Sequence, residues 1–110
     1  MKLPNGDKAL IDLHKIIDYC LSPIHEDGQH KSRLFSSILG LTIDQADQLV
    51  AALRMAAAVG DVIVGKRDRY GQRYVIDFGF AGSGGTATIR SAWIIKETET
   101  EPRLVTCYIL

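Results

Sequence analysis

The feature that most constrains this chain is a change of hydrophobic period at Gly60. Before it, apolar residues recur every three or four positions, the spacing of one face of a helix; after it, β-branched and aromatic residues dominate short runs between turn signals, as in strands. Helices first and strands second predict an α+β fold: about three N-terminal helices packed on one face of a C-terminal four-stranded antiparallel sheet. Pro4-Asn5-Gly6-Asp7 is turn chemistry, followed by a short strand over 8–11. Asp12 caps a first helix that runs to about residue 21 and carries Leu13, Ile16, Ile17 and Cys20 on one side. Pro23 stops it, and a polar loop leads to Gln29. A second helix covers 30–39, burying Leu34, Phe35 and Ile38, and ends at Gly40. Thr42-Ile43-Asp44-Gln45 matches a capping box that opens a third helix, with Ala46, Leu49, Val50, Leu53 and Ala57 facing inward and Gly60 closing it in a left-handed conformation.

Strands are expected near 61–67, 72–80, 86–96 and 103–110. Tyr70-Gly71 closes one hairpin, Ala81-Gly82-Ser83-Gly84-Gly85 a second and the acidic stretch from Glu97 to Pro102 a third, so the simplest topology is a sequential meander. Side chains alternate faces, which puts Ala87, Ile89, Ser91, Trp93 and Ile95 on the core side. Thr86, Thr88, Arg90, Ala92, Ile94 and Lys96 then point away. The same rule turns Val105, Cys107 and Ile109 inward and Leu104, Thr106, Tyr108 and Leu110 outward. On that reading Arg90, Thr106 and Tyr108 converge on the open face of adjacent strands.

The chain has 110 residues, the length of one domain (1–110), and its 46% hydrophobic content is enough for a core without metals or staples. Thirteen basic and thirteen acidic residues leave a formal net charge of zero, so no global field draws it to DNA, RNA or a membrane surface. Nucleic-acid binding therefore requires a local patch. DNA is not expected as a partner. Cys20 and Cys107 both lie among apolar neighbours and read as small core residues, consistent with a reducing compartment. With no apolar stretch long enough for a signal peptide or a membrane span, the expectation is a cytoplasmic chain.

Chemistry concentrates in two places. Gly28-Gln29-His30-Lys31-Ser32-Arg33 sets a titratable imidazole beside two cations at a helix entrance, where unpaired amides favour anions. RNA cleavage through the ribose 2′-hydroxyl requires a proton acceptor, a proton donor and cationic stabilisation of the pentacoordinate phosphate. The plainer reading is a helix-capping histidine with solvated neighbours. Arg90 is the second place: mid-strand, it requires an acidic partner, Asp77 or Glu97, or an anionic ligand. Trp93 reads as core. Lys66-Arg67-Asp68-Arg69 with Arg73 forms a basic hairpin tip suited to a phosphate backbone or to plain solvation. The three histidines and two cysteines make no metal-ligand motif, and no cofactor is expected. Gly82-Ser83-Gly84-Gly85 joins two strands instead of opening a helix, so it reads as a turn, not a nucleotide loop.

The blocks Leu3-Pro4-Asn5, Asp18-Tyr19-Cys20-Leu21, Gly28 through Phe35, Ile89-Arg90-Ser91-Ala92-Trp93-Ile94-Ile95 and Pro102 through Tyr108 together resemble an uncharacterised bacterial domain family. That family occurs alone in small proteins and at the carboxyl end of polymorphic toxins. The element order also resembles the barnase-EndoU-colicin-RelE group of metal-independent ribonuclease toxins. The resemblance implies an endoribonuclease in which His30, Lys31, Arg90, Thr106 and Tyr108 carry catalysis, with Arg33, Arg73 and Arg103 binding the substrate. It also implies RNA as substrate and a cognate immunity or antitoxin protein as partner. The alternative is a non-enzymatic interaction module, half of a two-gene pair, that docks through the sheet face or a strand edge.

Overall fold

A computed structural model describes residues 1–21 and 29–110, with the backbone alone for Asp18, Tyr19, Gln29, His30 and Lys31. Asp12 opens the first helix by accepting the His14 N–H at 2.9 Å. This helix, α1, spans Leu13–Lys15 and widens into a π turn over Ile16–Cys20, which carries Ile16, Cys20 and Leu21 into the core. The predicted stop at Pro23 and the loop to Gly28 lie outside the described residues. Helix α2 spans Gln29–Leu39. Helix α3 spans Ala46–Val59 behind a 3-10 turn over Ile43–Gln45. The capping box is present, with Gln45 Oε1 accepting the Thr42 N–H at 3.0 Å and the Thr42 hydroxyl at 2.8 Å.

Strands β1 (Ile63–Asp68), β2 (Gly71–Gly82), β3 (Gly85–Lys96) and β4 (Arg103–Ile109) form one antiparallel sheet in the order β1-β2-β3-β4. The meander follows from the short turns. Gly82 pairs with Gly85, leaving only Ser83-Gly84 to reverse the chain, so the two strands are longer than alternation alone predicts. A Cβ on Gly82 would lie 2.1 Å from the Leu39 carbonyl oxygen, and the Gly84 N–H donates to that same oxygen at 3.1 Å. The glycines thus let the end of α2 seat directly on the hairpin. The expected strand over 8–11 shrinks to one parallel bridge: the Leu10 N–H donates to Pro102 O at 2.8 Å and the Leu104 N–H to Leu10 O at 2.9 Å.

The helices supply Ile16, Phe35, Leu39, Leu49 and Leu53 to the core, and the sheet supplies Tyr74, Ile76, Ile89, Trp93, Leu104, Cys107 and Ile109. Ser91 sits at its centre, fully buried, donating to Ile76 O at 2.8 Å and accepting the Trp93 indole N–H at 2.9 Å. This satisfies two groups that burial would otherwise leave unpaired.

Several packing expectations are corrected. Leu104, expected outward, is buried, and Val105, expected inward, is only half-buried. The cause is a bulge: Ala92 pairs with Thr106 while its neighbour Trp93 pairs with Leu104, so Val105 is the extra residue and alternation reverses across it. On α2, Leu39 is buried and Ile38 is 37% exposed, because the helix ends against the Gly82 hairpin. Gly60 has φ −73°, not a left-handed value; it is glycine because a Cβ would lie 2.5 Å from Ala56 O and 2.8 Å from Ile76 Cγ2. Ile94 does face away from the helices, yet it is 7% exposed, set between Arg73 and Arg103 on the neighbouring strands. Both neighbours are long side chains of the kind whose aliphatic stems cover an apolar residue while the charged ends reach solvent.

Candidate functional site

Because the helices cover the face formed by Ile89, Ser91 and Trp93, the alternate residues of β2, β3 and β4 form a second face that no helix overlies among the described residues. Register places them in rows. Asp77, Arg90 and Tyr108 lie side by side across three strands; Val75, Ala92 and Thr106 form the next row; Arg73, Ile94 and Arg103 the row beyond. The first and third rows are four residues apart along β3, about 13 Å.

The first row is tightly built. Arg90 Nε donates to Asp77 Oδ1 and Nη2 to Asp77 Oδ2, both at 2.8 Å, a two-pronged match of guanidinium to carboxylate. That hydrogen bond is the main reason the Asp77 carboxyl lies below its ordinary range. Asp77 first, and then a hydrogen bond to Tyr108, hold the Arg90 proton more firmly than usual. Of the two acids the sequence offered Arg90, Asp77 is therefore the partner. Glu97 instead meets Arg67 at 3.3 Å.

A guanidinium has five N–H donors. Asp77 engages two of them, which fixes the plane and direction of the group and aims the remaining donors toward Tyr108 and solvent. A phenol accepting from a cation is polarised to donate its own hydrogen. Side-chain exposures of 34% for Arg90 and 28% for Asp77 mean the pair is half-sheltered yet reachable. The two charges of the pair cancel, so what the row presents to a ligand is hydrogen-bond donors rather than net positive charge.

Arg73 and Arg103 share this face and flank Ile94. Arg103 makes a two-pronged pair with Glu99 at 2.8 and 2.7 Å, and Arg73 Nε lies 3.5 Å from Asp68. Arg33 is elsewhere: it is exposed on α2, at a groove of about 670 Å³ that it lines with Leu21, Ser36, Thr42 and Asp44. The backbone of His30 and Lys31 begins α2, and their side chains lie outside the described residues. Since α2 packs on the core face, the sheet separates the body of that helix from Arg90. The basic tip of the first hairpin is partly self-neutralised, with Lys66 and Arg73 both near Asp68 and the Arg69 guanidinium 4.9 Å above the Tyr70 ring.

Sequence reasoning named Asp77 as one of two structural partners for Arg90, and the structure bears that pairing out. The signal that singles it out is the two-residue turn: Asp77 precedes Gly82 by as many residues as Arg90 follows Gly85, so a tight hairpin sets them opposite. Among the described residues no group of three or more His, Cys, Asp or Glu is placed to hold a metal ion. No helix among them is long and apolar enough to cross a membrane.

The fold is similar to that of a chain in a solved structure described as "Contact-dependent growth inhibition toxin - immunity protein complex from Klebsiella pneumoniae 342". The match has a TM-score of 0.72 at 17% identity and covers 92% of this chain and 99% of that one. At that identity the likeness is one of fold. No curated protein sequence matches the chain. The family described as Domain of unknown function (DUF6883) matches residues 2–110, essentially the whole chain, and the protein belongs to that family.

Proposed function

We propose that this chain is a toxin-associated module whose uncovered sheet face handles RNA, cleaving it without a metal by general acid-base transesterification. The observation that carries the reading is the Asp77-Arg90-Tyr108 row with Thr106 beside it. A guanidinium held in place by Asp77 and set next to two hydroxyls, on a face clear of the helices, supports this reading by directing hydrogen-bond donors to one place. Similarity of fold to a chain of a growth-inhibition toxin-immunity complex supports the toxin-associated part, and with it a cognate neutralising protein as partner.

In this mechanism Arg90 stabilises the negative charge that grows on the phosphoryl oxygens, while Thr106 and Tyr108 position the substrate. The ribose 2′-oxygen attacks phosphorus as its proton passes to a base, and the 5′-oxygen leaves with a proton from an acid. The products are a 2′,3′-cyclic phosphate and a free 5′-hydroxyl. His30 takes or gives one of these protons, solvent carrying the other, and the phosphate sits between Arg90 and Lys31. Because α2 packs on the core face, this mechanism requires His30, in the first turn of α2, to reach around the sheet to the phosphate that Arg90 holds, and His30→Ala tests that requirement. Arg73 and Arg103, about 13 Å along the sheet from Arg90, then contact flanking nucleotides, and Arg33 meets the strand on the helical side.

A second reading, a docking module that binds a partner protein without catalysis, is favoured by one specific observation. Each of the three arginines on the face already has a carboxylate partner, so the row also suits a polar protein interface. Incubating the purified chain with total RNA in the presence of a chelator separates the two. Cleavage that resists the chelator and is lost in His30→Ala supports the ribonuclease reading; intact RNA with the folded chain overturns it.

A further inference from the structure

The two cysteines lie 87 positions apart in the chain, and the fold brings them together in the core. Cys107 Sγ is 3.9 Å from Cys20 Sγ, and the two residues are 0% and 1% exposed. The sequence alone treats each as an independent small core residue; the structure makes them a pair. We infer that Cys20 and Cys107 form a site of reversible disulfide modification that joins the π turn Ile16–Cys20 to strand β4.

At 3.9 Å the sulfurs stand beyond the roughly 2 Å of a disulfide, so closing the bond requires rotation of the side chains and adjustment of one backbone. The π turn is the element able to supply it, since its wider ring is a local departure from regular helical geometry. Both residues are thiols as the structure stands. The conversion balances with a disulfide donor such as oxidised glutathione. One cysteine thiolate attacks the donor and forms a mixed disulfide, releasing one glutathione; the second cysteine then attacks the protein sulfur and releases the other. The two thiol protons end on the two glutathione thiols, so no other oxidant is required.

Burial decides when this happens. In the folded chain neither sulfur is open to a reagent, so formation and reduction of the bond both take place while the chain folds or when the π turn opens. Its position has a consequence for the strand. Cys107 lies between Thr106 and Tyr108, whose side chains point to the opposite face, so a bond on the core side clamps the backbone that carries both. That consequence for activity rests on the sheet face being the functional site; the bond itself does not.

The test is to refold the full chain from denaturant with either oxidised glutathione or a reducing dithiol, then to alkylate remaining thiols and map peptides without reduction. The expected product of oxidative refolding is a monomer lighter by two hydrogens, with Cys20 and Cys107 in one linked peptide and a higher unfolding temperature than the reduced form, because a long loop is closed. Cys20→Ala, which leaves the strand untouched, removes both the link and the temperature difference. Thiols that are both alkylated after oxidative refolding, cysteines capped by glutathione or bridged between chains, or a linked form that melts at a lower temperature would each overturn the inference. Mass and melting are read without RNA, so these outcomes stand whether or not the chain cleaves it.

Discussion

Along β3 the odd-numbered residues Ile89, Ser91 and Trp93 are sealed against the helices, while their even-numbered neighbours Arg90 and Ala92 look outward from the same strand. Among the described residues no buried side-chain nitrogen or oxygen lacks a hydrogen-bond partner, and on the inner face Ser91 bridges the Trp93 indole and the Ile76 carbonyl. On the outer face polar groups are also paired, but at the surface, where a salt bridge contributes little to stability. On the proposed reading, the difference separates stability from function within a single strand. The inner face holds the sheet to its helices, and the outer face is the one free to act on something else.

The largest effect should come from emptying the inner face. Trp93→Ala removes the largest fully buried side chain and is expected to cost about 3–5 kcal/mol in a urea titration followed by circular dichroism. A loss below about 1 kcal/mol, within the range of surface changes, would break the assignment of the core to this face. Ser91→Ala should come next, at about 1–3 kcal/mol, because it leaves the buried indole N–H without its acceptor. Trp93→Phe in the Ser91→Ala background sharpens the point. Removing the stranded N–H should make the second change cheaper there than in the wild type.

The outer face should respond to pH rather than to packing. Asp77 titrates below its ordinary value, chiefly through the hydrogen bond from Arg90, so the unfolded chain binds its proton more readily than the folded one. Its contribution is therefore present above the unfolded value near 3.8 and is lost as pH falls through the lowered folded value. Asp77→Asn should destabilise by no more than about 1 kcal/mol at pH 7, and the gap from wild type should close as the solution is acidified. A gap that widens in acid would mean the carboxyl is not held ionised by Arg90.

Much of this arrangement is legible in the sequence, for identifiable reasons. The capping box at Thr42 and the switch of period at Gly60 report local chemistry, and local chemistry specifies three helices and a four-stranded meander in order. Arg90 and Tyr108 share a face because alternation is intact between them and the bulge. Alternation misplaces Leu104 because the bulge at Val105 is a property of two paired strands, invisible in either alone. Ile94 is buried between two arginines, and a hydropathy pattern counts those residues only as charges. Gly60 follows the same logic in part: a Cβ there would meet Ile76, sixteen positions away in another element, as well as the Ala56 carbonyl oxygen of the preceding helix. The Cys20-Cys107 pair is beyond the reach of local reading for the same reason, since nothing in either neighbourhood specifies the other.

The most direct measurement is chelator-resistant RNA cleavage by Arg90→Ala, with the melting temperature of the same preparation recorded alongside. If the outer face acts on RNA, cleavage falls by about 100-fold or more, the usual loss when a transition-state charge stabiliser is removed, while melting stays close to wild type. Cleavage at the wild-type rate in the folded variant, or a collapse in melting temperature with no specific loss of activity, would contradict the division of labour between the two faces.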